Sequence, residues 1–373
     1  MRPLRIRSLT ASVYRVPMRR PIRSAMGDIR DRPALFVRVE DAEGAVGWGE
    51  VWCNFPACGA EHRARLVETI VAPLAIDRTF PSPGEAFDEI TRRTHVIAVQ
   101  AGENGPMAQA IAGVDIAMWD LAARRAGQPL WQHLGGEAHG RIKVYASALD
   151  VDTPETVAAD KWAEGHRAFK LKIAFDPARD RRNLAALREA LGTDANLMVD
   201  ANQSWNVAEA VRQIGELSRF DLTWVEEPLP ADGPLPHWLR LAREVSVPLA
   251  AGENVRGEDA FAELIATGAI RHFQPDIAKW GGLTGGLRVA RRVLDAGHLV
   301  SPHFMGGGIG LLASAHCLAA AGGGGYLEFD ANDNPLRTDL IELPAVENGT
   351  ISLPEAPGLG PEPDFAAVES YRV

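Results

Sequence analysis

The feature that most constrains the fold of this chain is a series of short apolar runs between residues 141 and 330. Amphipathic stretches with helical periodicity separate the runs, for example "DRRNLAALREAL" and "NVAEAVRQIGEL". The runs themselves are "RIKVYAS", "AFKLKI", "NLMVDAN", "DLTWVEEP", "VPLAAGEN", "RHFQPD", "HLVSPH" and "YLEFD". Strand–helix units repeated this often predict a parallel sheet that closes into an α/β barrel rather than an open sheet.

An ionisable residue stands at or beside the end of seven successive runs. These residues are Lys172, Asp200, Glu226, Glu253, Asp276, His303 and Glu328. They are 23 to 28 residues apart, and one strand–helix unit takes roughly 30 residues. Taken singly, such an acid is explained as a helix N-cap and a lysine as part of a solvated face. The shared register favours one site instead, because the strand C-terminal ends of a barrel converge on one mouth.

Three of these residues have the chemistry of metal ligands. Asp200, Glu226 and Glu253 come from three successive strands, and crowded carboxylates repel one another unless a cation lies between them. An all-oxygen set suits a hard ion, Mg²⁺ first, and Mn²⁺ would also fit. The sequence contains no H-x-H motif, which weakens a zinc hydrolase interpretation of the same barrel.

Lys170 and Lys172 share one face of the strand "AFKLKI", because residues two apart on a strand point to the same side. One strand before Asp200, they would point into the mouth and flank the ion. Two ammonium groups beside a divalent cation favour the neutral amine. We therefore expect one lysine to act as a base near neutral pH.

A second base is predicted from the later strands. An aspartate beside a histidine orients the imidazole, so Asp276 and His303 form a general base or acid, and Glu328 donates a hydrogen bond if it is protonated. Loss of the proton next to a carboxylate creates an ene-diolate with a second negative charge. Enzymes lower barriers by about 8–23 kcal/mol, whereas one well-aimed donor supplies about 3–4 kcal/mol. A metal, a cationic lysine and a protonated Glu328 together are of the right order.

The domain organisation is predicted as an N-terminal α+β domain over residues 1–127, a barrel over 128–345 and a C-terminal segment over 346–373 that packs back on the first domain. "RIRSLTASVYRVPM" and "ALFVRVEDAEGAVGWGEV" are typical of strands. Gly127 and Pro129 mark the end of a helical stretch before the barrel.

Charge and composition exclude several classes of protein. The net charge of −10 argues against a nucleic-acid binder. No stretch has the apolar length of a signal peptide or a membrane span. Three cysteines form neither a disulfide framework nor a paired zinc motif. A cytoplasmic enzyme with no membrane partner is the simplest expectation.

The motifs resemble those of the enolase superfamily, mandelate racemase subgroup, almost from end to end. The matching stretches are "FKLKI", "MVDANQS", "WVEEP", "AGEN", "PDIAKWGG", "SPHF", "YLEF" and the joining segment "AGVDIAMWDLAARRAGQPLWQHLGG". In the related muconate-lactonizing subgroup a second lysine lies five residues before the G-G of the sixth-strand motif. Asp276 stands there in this chain and His303 follows, so the mandelate racemase type is favoured.

The resemblance implies a modified (β/α)₇β TIM-type barrel under an N-terminal α+β capping domain, a bound Mg²⁺, a small carboxylate substrate and a homo-oligomer. It also implies that Lys172 is the base on one face and His303, held by Asp276, the base on the other. The remaining implied roles are polarisation of the substrate carboxylate by Lys170 and Glu328, a serine donor at Ser147, and lining of the ion site by Asn202 and Asn254.

The reaction and the substrate stay open between two outcomes of the same chemistry. Two bases serve dehydration of an acid sugar or hydroxy diacid to a 2-keto-3-deoxy acid, or racemisation of an α-hydroxy acid. The stretch "MRRPIRSAMGDIRDRP" is expected to form the lid. Its arginines, Arg23 among them, suit carboxylate and hydroxyl groups better than a phenyl ring. Such arginines also commonly face solvent or a subunit partner. Dehydration is the favoured interpretation.

Alternatives outside this chemistry were weighed against the same residues. A metal-independent glycoside hydrolase would use Glu226 and Glu328 as its paired carboxylates but leaves the lysine pair unexplained. A catalytically silent barrel predicts the loss of a ligand or base, and none is missing. The glycine runs "MGGGIG" and "AGGGGY" could cradle a phosphate, although glycine runs more often shape loops.

Overall fold

The computed structural model describes residues 2–24, 27–137 and 140–373. An antiparallel sheet near the N-terminus and a parallel sheet in the rest of the chain form its two layers of strands. The antiparallel sheet has the order β3-β2-β1-β4. Its strands are β1 (Leu4–Ser24), β2 (Gly27–Asp41), β3 (Val46–Val51) and β4 (Thr79–Phe80).

Helices cover one side of this small sheet and lead into the barrel. They are α1 (Gly59–Leu66), α2 (Ala72–Ala75), α3 (Pro83–Ala101), α4 (Asn104–Ala126) and α5 (Leu130–His133), with a π-helical turn at Val67–Val71. Ser82 caps α3 by accepting the N–H of Glu85. Gly127, at φ 65°, ends α4 in the left-handed conformation that glycine adopts without strain, which confirms the predicted stop.

Eight parallel strands form the nearly closed barrel that the sequence predicts. They are β5 (Arg141–Ser147), β6 (Ala168–Lys172), β7 (Asn196–Asp200), β8 (Leu222–Glu226), β9 (Leu249–Ala251), β10 (His272–Phe273), β11 (Leu299–Val300) and β12 (Tyr326–Asp330). Each strand pairs in parallel with its neighbour from β11 back to β5, and β5 pairs with β12. Between the two end strands, the N–H of Tyr326 donates to Ser301 Oγ at 3.1 Å.

A helix follows each of the first seven barrel strands, so the architecture is (β/α)₇β as predicted. The helices are α6 (Pro154–Ala163), α7 (Pro177–Leu191), α8 (Val207–Leu217), α9 (Leu235–Glu244), α10 (Glu258–Thr267), α11 (Gly282–Asp295) and α12 (Gly308–Ala321). Asp176 and Asn206 start α7 and α8 as side-chain N-caps. Among the described residues, no helix is both long and apolar enough to cross a membrane.

The C-terminal segment touches both parts of the molecule. It contains β13 (Thr350–Ser352), which pairs antiparallel with β5, and α14 (Phe365–Val368), after the short α13 (Pro335–Thr338). The ring of Phe365 lies 5.8 Å from that of Tyr14 and 4.6 Å from that of Trp48 in the N-terminal domain. The boundaries at residues 127 and 345 stay a prediction.

Candidate active site

Strand register brings the predicted site residues to one edge of the barrel. Lys172 pairs with Asp200, and Asp200 pairs with Glu226, as Cα partners on β6, β7 and β8. Neighbouring strands lie about 4.8 Å apart, so the three side chains start close together. Ala250 pairs with Glu226 on β9, and Glu253 follows three residues later. The C-terminal ends therefore form the common rim that the spacing predicts.

The backbone turns sharply where these strands end. Ala148, Ala174, Asn202 and Glu227 have φ values of 56°, 72°, 43° and 37°, just after β5, β6, β7 and β8. Residues other than glycine seldom adopt this left-handed region, and such strain is concentrated at functional sites. At Asn202 the turn lets the side-chain amide donate to Asp200 Oδ2 at 3.0 Å while its N–H donates to Oδ1 at 2.8 Å.

Lys170 is the buried cation beneath the rim. Its Nζ lies 2.7 Å from Glu226 Oε1 and 2.8 Å from Glu328 Oε1, and it is 1% exposed. Burial alone would lower the pKa of Lys170, but the Glu226 and Glu328 carboxylates raise that pKa well above its usual range. The two carboxylates therefore favour the ammonium form of Lys170, and which lysine acts as the base stays a prediction.

Lys172 differs from Lys170 in its surroundings. Its side chain is 20% exposed, donates to Asn202 Oδ1 at 2.7 Å and lies 3.4 Å from Asp200 Oδ2. Lys172 lies two residues after Lys170, at the C-terminal end of β6. Its amine is therefore within reach of a small molecule at the rim. Of the two lysines, Lys172 therefore has the setting that a base requires.

Asp276 and His303 form the expected dyad. His303 Nδ1 lies 2.8 Å from Asp276 Oδ2, and Asp276 Oδ1 accepts the N–H groups of Ala278 and Lys279 at 2.9 and 3.1 Å. Nε2 of His303 lies 2.9 Å from Glu253 Oε2. Burial would lower the pKa of His303, but the facing carboxylates, Glu253 first, raise it well above its ordinary value. The imidazole is therefore a proton donor in this arrangement.

Glu328 is surrounded by hydrogen-bond donors. Its carboxylate accepts Ser147 Oγ–H at 2.5 Å, the Phe304 N–H at 3.1 Å and the Lys170 ammonium. Burial raises the pKa of Glu328, but Lys170 and His303 outweigh burial and lower it below the ordinary value. Glu328 is thus an acceptor in this arrangement, with Ser147 as one of its donors, and its role as a donor when protonated stays a prediction.

The three proposed metal ligands each face a cation of this chain. Among residues 2–24, 27–137 and 140–373, no three His, Cys, Asp or Glu side chains are already arranged around one point as metal ligands. Asp200 lies beside Lys172, Glu226 beside Lys170, and Glu253 beside His303. Burial, together with repulsion from Asp200 and other carboxylates, raises the pKa of Glu226 to about 7 despite Lys170. All three side chains offer carboxylate oxygens, the donor type that hard divalent ions take, so the donor set fits such an ion.

Other side chains around the ligands were not predicted. Gln274 donates to Glu226 Oε2 at 2.6 Å from β10's end. Lys279 Nζ lies 3.0 Å from Asn254 Oδ1 and 3.4 Å from Glu253 Oε1. Gln274 directly precedes the motif "PDIAKWGG" and Lys279 is the lysine within it, and these positions were the available signal. The amide of Asn254 donates to Glu253 Oε1 at 2.9 Å, so this residue does border the proposed ligands.

The arginines of the expected lid divide into two groups. The side chains of Arg19, Arg20 and Arg23 lie outside the described part of the chain. Arg32 is buried and donates to Asp330 Oδ2 at 2.8 Å, two residues beyond Glu328 on β12. Asp330 also lies 3.3 Å from Arg337 Nη1. Arg32 is thus a link between the N-terminal domain and the barrel.

The rim of this barrel carries lysine, carboxylate and histidine–aspartate groups, and an α+β domain caps the barrel. This combination is typical of barrel enzymes that transfer protons to and from small molecules. The description "Mandelate racemase / muconate lactonizing enzyme, N-terminal domain" matches residues 8–135, and "Enolase C-terminal domain-like" matches residues 155–367. The chain belongs to the enolase superfamily, mandelate racemase subgroup.

Three relatives of known activity align along almost the whole chain. A 3,6-anhydro-alpha-L-galactonate cycloisomerase of Streptomyces coelicolor is 33% identical over 96% of this chain and 97% of its own length. A D-galactarolactone cycloisomerase of Agrobacterium fabrum is 29% identical over 95% of both chains. An arabinonate dehydratase of Saccharolobus solfataricus is 28% identical over 93% of both.

Solved structures agree with this assignment. A mandelate racemase/muconate lactonizing enzyme from Bordetella bronchiseptica is 52% identical, covers 99% of both chains and has a TM-score of 0.92. A racemase from Streptomyces coelicolor, crystallised with bound magnesium, is 31% identical with a TM-score of 0.88 and covers 99% of this chain and 100% of its own. The superfamily relatives include acid-sugar dehydratases, cycloisomerases and racemases, so this chain is an enzyme of that group.

Proposed function

We propose that this enzyme removes the proton alpha to the carboxylate of an acid sugar or hydroxy diacid and then eliminates the β-hydroxyl as water. The observation that carries the proposal is the pair of proton-transfer groups across the mouth. Lys172 ends β6 and His303 follows β11. Around the barrel, β11 is three strands from β6 in the direction of β5 and β12, and five strands from it in the direction of β7. The carboxylates of Asp200, Glu226 and Glu253 lie along the rim between them.

The residues have complementary tasks in this reaction. Lys172 takes the α-proton, and the electron pair of the broken C–H bond moves into the substrate's carboxylate to form an ene-diolate. When that pair returns, the bond to the β-oxygen breaks, and His303 gives its proton to the leaving hydroxide so that water departs. Asp276 keeps the imidazole aimed. The resulting enol becomes the 2-keto-3-deoxy acid by taking up a proton at C3 and releasing the proton of its C2 hydroxyl to solvent.

Asp200, Glu226 and Glu253 would hold a magnesium ion, with Mn²⁺ as a substitute. When bound, the ion supplies positive charge for the two carboxylate oxygens of the substrate, on which charge develops. The magnesium in a structural relative supports this choice of metal. Lys170 adds a buried ammonium next to Glu226, which preorganises the same region for negative charge.

Cycloisomerisation is a second candidate because two relatives aligned over nearly their whole length are cycloisomerases. It shares the proton abstraction, but the β-oxygen that leaves belongs to a ring, so the ring opens and no water is lost. Racemisation is the third outcome, in which Lys172 and His303 exchange protons with opposite faces of one carbon. All three outcomes use the same two proton-transfer groups.

A panel of aldonic, aldaric and lactone acids, incubated with Mg²⁺ or with EDTA, tests the proposal. Dehydration produces a 2-keto acid that absorbs after reaction with semicarbazide, with loss of 18 mass units as expected for water. Ring opening produces a keto acid without mass change, and racemisation produces only optical inversion with α-deuterium uptake in D₂O. Full turnover by Lys172→Ala and His303→Asn on the identified acid would contradict the two-base scheme. Turnover that EDTA does not affect would contradict the requirement for a metal ion.

A further inference from the structure

The glycine run "MGGGIG" at the start of α12 binds a carboxyl group that belongs to the chain itself. The N–H groups of Gly307 and Gly310 donate to Glu50 Oε1 and Oε2 at 2.5 and 2.8 Å. Glu50 lies near the end of β3 in the capping domain and is 2% exposed. The positive N-terminus of α12 therefore binds a carboxylate from the other domain, rather than the phosphate considered from sequence.

The glycines leave room for this carboxylate. A Cβ on Gly306 would stand 2.7 Å from Glu50 Oε1, and one on Gly307 would stand 3.0 Å from Oε2. Side chains at these positions would push the carboxylate away from the helix N-terminus. The close approach of Glu50 is thus one reason for glycine at positions 306 and 307, whereas a Cβ on Gly308 would meet Ile341 and Arg337 instead.

Glu50 begins a stretch of the capping domain, residues 50–54, that we call the anchor segment. The Trp52 N–H donates to Ala278 O at 3.2 Å, and Asn54 Nδ2 donates to Met305 O at 2.8 Å. Alternate residues of the anchor segment therefore contact two barrel loops in turn. One loop follows Asp276 and the other follows His303.

Short links join these contacts to the dyad. Asp276 accepts the N–H of Ala278, the residue whose carbonyl the anchor segment binds. On the other loop, the residue after His303, Phe304, donates its N–H to Glu328 at 3.1 Å. Only three residues separate His303 from Gly307, whose N–H donates to Glu50. A shift of the capping domain at Glu50 would therefore move the imidazole as well.

We propose that Glu50 is a positioning residue that holds the Asp276–His303 dyad in register from the capping domain. Its two hydrogen bonds fix the start of α12, and the anchor segment fixes the loop after Asp276. The position of the capping domain on the barrel therefore affects proton transfer by His303. The catalytic part of this inference rests on the proposed function, whereas the structural part does not.

The test compares Glu50→Gln with Asp120→Asn. Glutamine keeps the shape of Glu50 but has one acceptor oxygen, so one of the two N–H groups loses its partner. Asp120 is an equally buried capping-domain carboxylate that accepts the N–H groups of Trp48 and Leu359 at 2.9 and 2.7 Å. These contacts do not involve the anchor segment or the dyad loops, so Asp120→Asn controls for loss of a buried carboxylate. Glu50→Asp, with a shorter reach and the same charge, serves as a milder variant if the glutamine variant does not fold.

Two measurements need no substrate. Amide hydrogen exchange over residues 304–311 should speed up by about 10-fold or more in Glu50→Gln, since a lost hydrogen bond changes the opening equilibrium by roughly that factor. Asp120→Asn should leave these amides unchanged. A crystal structure of Glu50→Gln should have His303 Nδ1 beyond hydrogen-bond reach of Asp276, instead of 2.8 Å away. Unchanged exchange and an intact dyad would overturn the inference.

The catalytic measurement is a double-mutant cycle on the acid found in the panel. Glu50→Gln should lower kcat by about 10- to 100-fold with little change in KM, because a misplaced catalytic group loses that much rate. In a His303→Asn background the same change should have no further effect on kcat, since the dyad is already absent. An equal loss in both backgrounds would refute the coupling. If no acid is turned over by the unmodified enzyme, the proposed function fails and the two substrate-free measurements still decide the positioning role.

Discussion

Replacing Lys170 by methionine removes the ammonium that joins Glu226 and Glu328 inside the barrel. Methionine is similar in length and apolar, so the change removes charge and hydrogen bonds and leaves little cavity. The two carboxylates, each 1% exposed, would then face each other without the cation between them. We expect a large loss of stability, separate from any loss of activity.

The magnitude follows from burial. Removing one partner of a buried ion pair costs about 3–5 kcal/mol, because a charge stays buried without compensation. Lys172→Met is the matched control two residues away. Its side chain is 20% exposed and has one close hydrogen bond, to Asn202. Because water reaches this amine more readily than that of Lys170, its removal should cost less stability. Lys170→Met should therefore unfold at a much lower urea concentration than Lys172→Met, although both lose activity.

The assay is urea unfolding followed by circular dichroism, with EDTA and again with Mg²⁺. In EDTA, adding Glu226→Gln to Lys170→Met should recover part of the stability, because one uncompensated charge is removed. Magnesium at about 100 times its dissociation constant stabilises a protein by about 2.7 kcal/mol. Magnesium should reduce the difference in unfolding free energy between Lys170→Met and the parent, because the ion and the Lys170 ammonium both neutralise Glu226. Equal unfolding midpoints for the two lysine variants, or no recovery with Glu226→Gln, would refute the ion-pair reasoning.

Three further predictions concern other contacts. Burial raises the pKa of Asp115 from 3.8 to about 7. Between these pH values the folded state binds more protons than the unfolded state. The free energy of unfolding therefore falls as pH rises, by up to about 4 kcal/mol. Asp115→Asn cannot titrate, so its stability deficit against the parent should shrink from pH 4 to pH 8; a constant deficit would contradict this. Asp276→Asn should lower kcat by about 10²- to 10⁴-fold, and an unchanged kcat would count against the dyad. Arg32→Met leaves Asp330 with Arg337 and should cost about 1–3 kcal/mol; an unchanged thermal midpoint would show that the Arg32–Asp330 contact is not formed.

The barrel was predictable because its information is local and repeated. Each apolar run became a strand, and the intervals between Lys172 and Glu328 match the unit that the fold repeats. The family assignment and the (β/α)₇β architecture are confirmed on that basis. The metal-ligand and base roles stay predictions, since only their positions follow from register.

The contacts that sequence did not predict are those between distant parts of the chain. Glu50 lies 257 residues before Gly307, and Arg32 lies 298 residues before Asp330. Neither periodicity nor spacing carries information on such pairs. The sequence does not determine the pKa of Glu328 for a similar reason: that pKa depends on Lys170 and His303 together, which overcome the effect of burial.

The most direct test of the account is a crystal structure of the enzyme with Mg²⁺ and a non-reactive acid sugar analogue. We predict one ion with oxygens of Asp200, Glu226 and Glu253 about 2.0–2.1 Å away. Lys172 and His303 should then face the α-carbon from opposite sides. An ion bound elsewhere, with the three carboxylates still bonded to the lysines and His303, would contradict it.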